Sequence, residues 1–86
     1  MGSAKRIRPS RLGEKLLKIR NHFGYSLAEM AKKLSNDKFT VKRTDISRYE
    51  LNEREPSLPL LLIYSRLRED FSLEMLADDE MDLPNL

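Results

Sequence analysis

Between Leu12 and Leu34 the apolar residues keep a helical rhythm. Leu12, Leu16, Ile19 and Phe23 stand four, three and four apart, and Leu27, Met30, Ala31 and Leu34 resume the stripe after a short break. Such spacings put side chains on one face of an α-helix, whereas a half-buried strand would need strict alternation. The break has its own signature. Gly24 can take the left-handed conformation that stops a helix. Ser26, followed three residues later by Glu29, is a capping box in which side chains and backbone satisfy each other's orphan groups. Tyr25 is placed to pack on Met30 as a hydrophobic staple, and the small Ala31 permits a close helix crossing. Ser10 is the expected cap of the first helix.

The remainder of the chain reads the same way. Residues 35–39 (SNDKF) are polar and turn-forming apart from Phe39. A third short helix is predicted over about 42–51, with Ile46 and Tyr49 inward and Lys42, Arg43, Thr44, Ser47 and Arg48 outward. Asn52 is suited to end it in the left-handed region. After a polar loop, Leu58 to Arg68 is apolar nearly all round, which predicts a helix central to the core or buried in an oligomer. Pro59 falls in its first turn, where a missing N–H costs nothing. Ser72, Leu73 and Leu76 predict a fifth, short helix. No strand is expected, so the fold class is all-α with five helices. The 86 residues suffice for one domain: a flexible basic arm over 1–9, a helical domain over 10–77 and an acidic, irregular tail over 78–86.

Charge is divided unevenly. Residues 1–48 hold thirteen Lys/Arg against four Asp/Glu, a balance of +9, and residues 49–86 hold three against ten, a balance of −7. The first part is built to meet a polyanion and the second to be repelled by one. No segment approaches the roughly 18 apolar residues of a membrane span, and no apolar run follows the basic start as in a secretory signal. Cysteine is absent, which excludes disulfides and thiolate metal sites. A cytoplasmic protein without membrane attachment is therefore expected. His22, the only histidine, stands near a helix C-terminus and is expected to meet the helix dipole there. Asp78, Asp79, Glu80 and Asp82 lack the glycine and terminal Glu of a calcium loop. No catalytic residue, metal site or cofactor is expected, and the chain is not read as an enzyme.

Taken together, residues 26–34 (SLAEMAKKL), 41–50 (VKRTDISRYE) and 54–57 (REPS) resemble the Cro/repressor-type, XRE-like helix-turn-helix family of DNA-binding regulators. The first helix joins the resemblance through Leu16 to Arg20 and the fifth through Phe71 to Leu76. The resemblance implies a compact, lambda-repressor-like five-helix domain whose third helix lies in the major groove of double-stranded DNA. Lys42, Arg43, Thr44, Ser47 and Arg48 are then the candidate base contacts, with Arg suited to guanine O6 and N7. Candidate phosphate contacts are Arg11, Lys15, Lys32, Lys33 and Lys38, the helix end at Ser26, and the arm residues Lys5, Arg6 and Arg8. Similarity to the family's loop adds Asn52 and Arg54. It also implies a structural ion pair between Arg20 and Glu50, a homodimer on a palindromic operator, and a repressor's role. The apolar excess of the fourth and fifth helices would supply the dimer surface.

Two departures from the family pattern stand out. Leu27 replaces the usual phosphate-binding Gln after the Ser cap, and eleven residues separate Leu34 from Ile46 where about six are common. The excess is placed at 35–39. Lys38 either reaches a phosphate from that bulge while Phe39 covers the core, or the loop only tolerates its length, which costs little. The second is favoured. An antitoxin-type autorepressor, with the acidic half engaging a protein partner, and an interaction module that has lost DNA binding are the rival readings.

Overall fold

The computed structural model describes residues 9–86. Five helices follow in order: α1 (Leu12–Phe23), α2 (Leu27–Leu34), α3 (Arg43–Glu50), α4 (Leu58–Ser65) and α5 (Leu73–Ala77). Among the described residues there is no strand. The α1 helix packs on α3 and α5, α2 on α3 and α4, and α4 on α5. Leu16, Ile19, Met30, Leu34, Ile46, Tyr64 and Leu76 are excluded from solvent at the centre. They include stripe positions of α1 and α2, so the 3.6-residue rhythm directs the core. Phe23, Tyr25, Leu27 and Phe39 close its edge.

Local chemistry sets most helix ends. Gly24 takes φ 71° after α1, and Asn52 takes φ 60° just beyond α3. The α2 cap is a complete box: Ser26 Oγ accepts from Glu29 N at 3.1 Å, and Glu29 Oε1 accepts from Ser26 N at 2.9 Å. Ser57 and Ser72 cap α4 and α5. Tyr25, expected to pack on Met30, has its ring stacked on Phe23 at 5.6 Å between centroids.

Three expectations change. First, α4 stops at Ser65 rather than Arg68, because Arg66 and Leu67 donate to Ile63 and Tyr64 three residues back. This tighter winding turns the chain so that Phe71 enters the core. Second, Ser10 does not cap α1. Arg11 holds the N-cap position without a side-chain acceptor of its own. The carboxylate of Asp79 serves the helix instead, accepting from Ser10 N at 2.9 Å and Arg11 N at 3.0 Å. Third, residues 78–86 form no helix, yet they are fastened to α1 by Asp79 and Asp82, with Leu83 against the core. Carboxylates that look like a solvated tail in sequence are used inside the domain.

Candidate nucleic-acid interface

The α2 and α3 helices pack against each other through Met30, Ala31 and Leu34 on one side and Ile46 and Tyr49 on the other. The opposite faces are cationic. Lys32, Lys33, Lys42, Arg43, Thr44 and Arg48 are exposed and Ser47 is half-buried. Neither Lys32, Lys42, Arg43 nor Arg48 has an ion-pair partner among the described residues. Lys33 lies over the Tyr25 ring, 5.7 Å from its centroid, which leaves its ammonium at the surface. A groove there is lined by Ala28, Ala31, Lys32, Val41 and Arg43.

The start of α3 is pinned by Asp45, a residue the sequence reading did not single out. Its Oδ2 accepts from Lys42 N at 3.1 Å, and its backbone N–H donates to Lys42 O at 3.0 Å. Lysine offers no side-chain acceptor, so this end is held by the carboxylate alone. Arg54 Nη1 stands 3.5 Å from Asp45 Oδ1, placing that cation beside the head of α3. Its signal in sequence is the acidic residue three places after the cap.

The far end of α3 is tied to α1. Arg20 Nε and Nη2 donate to Glu50 Oε2 and Oε1 at 2.7 and 2.9 Å, and Arg20 Nη1 donates to Tyr25 O. This bidentate pair is the one the resemblance implied, and it is largely out of solvent, with side chains 17% and 7% exposed. A planar fork on a carboxylate fixes relative orientation better than a single contact does. Close by, Gly13 lets α1 touch the end of α3: a Cβ there would lie 2.6 Å from Glu50 O. The Tyr64 hydroxyl is buried without a partner among the described residues. Burial pushes its phenol well up, so it stays neutral.

The long connection from α2 to α3 is built rather than loose. Ser35 Oγ donates to Ala31 O and accepts from Val41 N, both at 2.8 Å, closing the base of the bulge. Within it Asn36 Oδ1 accepts from the N–H groups of Lys38 and Phe39, and Asn36 N donates to Phe39 O. Phe39 is held against the core and Lys38 is left exposed.

A family model described as helix-turn-helix matches residues 16–67, more than half of the chain. The protein belongs to the Cro/repressor-type helix-turn-helix family. Its α2 and α3 fall within the matched residues, and this family is one of DNA-binding regulators of transcription. Comparison with curated proteins and with solved structures returns no match.

Within this helix-turn-helix protein the expected contact residues divide into two groups. Lys32, Lys33, Lys38, Lys42, Arg43, Thr44, Ser47, Arg48 and Arg54 lie on or beside α2 and α3 with surface access. Lys15 does not. It is 1% exposed, and its ammonium donates to Met75 O and Asp78 O at 2.7 and 2.8 Å. Burial pushes its ionisation below the usual lysine range. The lysine satisfies carbonyls at the end of α5 and has no route to a phosphate. Arg11 is occupied by Glu14, Asp79 O and Asp82; its hydrogen bond to Asp82 holds the guanidinium above its ordinary value. Asn52 uses Oδ1 to accept from Gly13 N and Nδ2 to donate to Ser10 O, so its amide joins helices. The Ser26 hydroxyl serves the α2 cap. Lys5, Arg6 and Arg8 lie outside the described residues. His22, in the last turn of α1 where the dipole contact was expected, lies edge-on to Phe23. No helix of the described residues is long and apolar enough to cross a membrane, and no His/Cys/Asp/Glu cluster suited to a metal occurs among them.

Proposed function

We propose that the protein is a sequence-specific repressor whose α3 enters the major groove. Lys42, Arg43, Thr44, Ser47 and Arg48 meet base edges, and Lys32, Lys33, Lys38 and Arg54 meet phosphates. The observation that carries this is the unpaired cationic surface of α2 and α3, in a domain that spends Asp79 and Asp82 on α1. A basic helix presented at a fixed angle, with Arg43 and Thr44 in its first turn, suits the groove and its donor and acceptor pattern. Lys32 and Lys33 stand where a flanking backbone would be neutralised. Among the described residues the large apolar side chains left exposed are Leu17, Leu51, Leu58 and Leu86; Leu51 and Leu58, one past α3 and the other heading α4, are the most exposed, at 64% and 58%. A homodimer joined there would present two recognition helices to half-sites about 10 bp apart.

Binding-site selection from random duplexes, followed by titration of the selected site at two salt concentrations, tests this reading. A palindrome should emerge, and affinity should fall steeply with salt, by a log–log slope of about −0.9 for each phosphate neutralised. Arg43→Ala should relax preference at one position, worth about 1–3 kcal/mol, whereas Lys32→Ala should weaken all duplexes alike. Equal affinity for every duplex, or none for any, defeats the proposal. The partner-binding autorepressor is the weaker reading, since two of the carboxylates that prompted it are committed inside the domain.

A further inference from the structure

Asp79 stands well beyond α3 in sequence, yet a continuous line of hydrogen bonds connects the two. Its Oδ2 accepts from Ser10 N at 2.9 Å and from Ser10 Oγ at 2.8 Å, and its Oδ1 accepts from Arg11 N at 3.0 Å. These are groups at the opening turn of α1, 68 and 69 residues away in sequence. The grip is returned from the other side. Arg11 Nη1 donates to Asp79 O at 2.7 Å, and Lys15 Nζ donates to the carbonyls of Met75 and Asp78. Ser10 is therefore held in place by the C-terminal segment. Its carbonyl in turn accepts from Asn52 Nδ2 at 2.9 Å, and Asn52 Oδ1 accepts from Gly13 N at 3.0 Å. Asn52 stands two residues beyond α3, in the left-handed conformation that redirects the chain there. Backbone contact at Gly13 leaves no room for slack, since the carbonyls of Tyr49 and Glu50 line the same spot.

We propose that Asp79 is a positioning residue for the recognition helix. By fixing the Ser10–Arg11 turn it fixes the carbonyl that holds the Asn52 amide, and so anchors the C-terminal end of α3. The Arg20–Glu50 pair sets the same helix from a second point. Two attachments, one to the last turn of α1 and one to its start, define a tilt where a single one leaves rotation free. The acidic segment that the charge count sets apart from DNA thus serves the DNA-reading element from behind.

The effect on DNA rests on the function proposed above, but the coupling between Asp79 and Asn52 does not. The first readout is the Asn52 side-chain amide by NMR, in the free protein. Asp79→Ala should shift its resonances and speed its hydrogen exchange, whereas Ser57→Ala, which removes the α4 cap elsewhere, should leave them in place. The second readout is discrimination between the selected duplex and a random one, at a temperature where circular dichroism shows every variant folded. Asp79→Ala and Asn52→Ala should each reduce discrimination about tenfold, and the double variant should lose no more than Asn52→Ala alone. If Asp79→Ala does not fold, Asp79→Asn, which keeps one acceptor oxygen, carries the same readouts. Losses that multiply in the double variant, or an Asn52 amide indifferent to Asp79, overturn the proposal. A wild-type protein that discriminates between no duplexes overturns the regulator reading, and the amide readout then still decides this one.

Discussion

Removing either member of the Arg20–Glu50 pair should cost far more than removing both. The carboxylate is 7% exposed and the guanidinium 17%, joined by bonds of 2.7 and 2.9 Å. Breaking a buried pair leaves one charge without compensation, at about 3–5 kcal/mol, whereas replacing both by apolar groups of similar volume is often neutral. Glu50→Leu belongs at the low end, about 3 kcal/mol, because Arg20 keeps some solvent and its bond to Tyr25 O. Arg20→Met leaves the more deeply buried charge and should cost about 4 kcal/mol. The double variant should lie within about 1 kcal/mol of the parent. A chain of 86 residues has roughly 4–13 kcal/mol to lose, so each single variant forfeits a large share of it. Urea unfolding followed by circular dichroism, at unchanged slope, measures all four corners of the cycle. Singles that each cost under about 1 kcal/mol and simply add would show a pair that behaves as a surface salt bridge, and the reasoning would fail. In the double variant, with nothing holding the fork geometry, discrimination among duplexes should drop while affinity for random DNA persists.

Three further outcomes are expected. Tyr64→Phe should leave stability unchanged or raise it by up to about 1 kcal/mol, because the hydroxyl it deletes is buried without a partner among the described residues; a loss of 2 kcal/mol or more, on the order of a lost buried hydrogen-bond network, would reveal a partner. Gly13→Ala should destabilise by about 2–3 kcal/mol despite the better helix propensity of Ala, since the new Cβ meets backbone carbonyls at 2.6 and 2.9 Å; thermal melts decide the sign. Stability should also fall on the acid side. Hydrogen bonds from the Arg11 and Ser10 N–H groups hold Asp79 below the usual carboxylate range, the Arg11 side chain does so for Asp82, and the Ser26 N–H for Glu29. Groups depressed in the folded state stabilise it above their unfolded pKa, about 4, and this contribution disappears as pH drops through the folded values. Melting temperatures recorded between pH 7 and pH 2.5 should decline below about pH 4, and Asp79→Asn should flatten that decline.

Sequence alone determined what depends on near neighbours along the chain. Residues three and four apart must share a helix face, so the stripes of α1 and α2, the inward Ile46 and Tyr49 and the outward cations of α3 were all legible. The Ser26 box and the left-handed Gly24 and Asn52 were legible for the same reason, since their geometry is settled within a few residues. Ser35 lay within that range too, but a serine closing a loop six residues long carries no distinctive pattern. Tertiary structure alone decided which charges are spent. Whether Lys15 faces water or two carbonyls depends on where the end of α5 lands, 60 residues later. Whether Ser10 or Asp79 serves the head of α1 depends on the C-terminal segment crossing it. A charged side chain bears the same letter in both cases. Only packing says whether its partner is solvent, DNA or another part of the chain, because desolvation and hydrogen bonding are set by what surrounds the group in space.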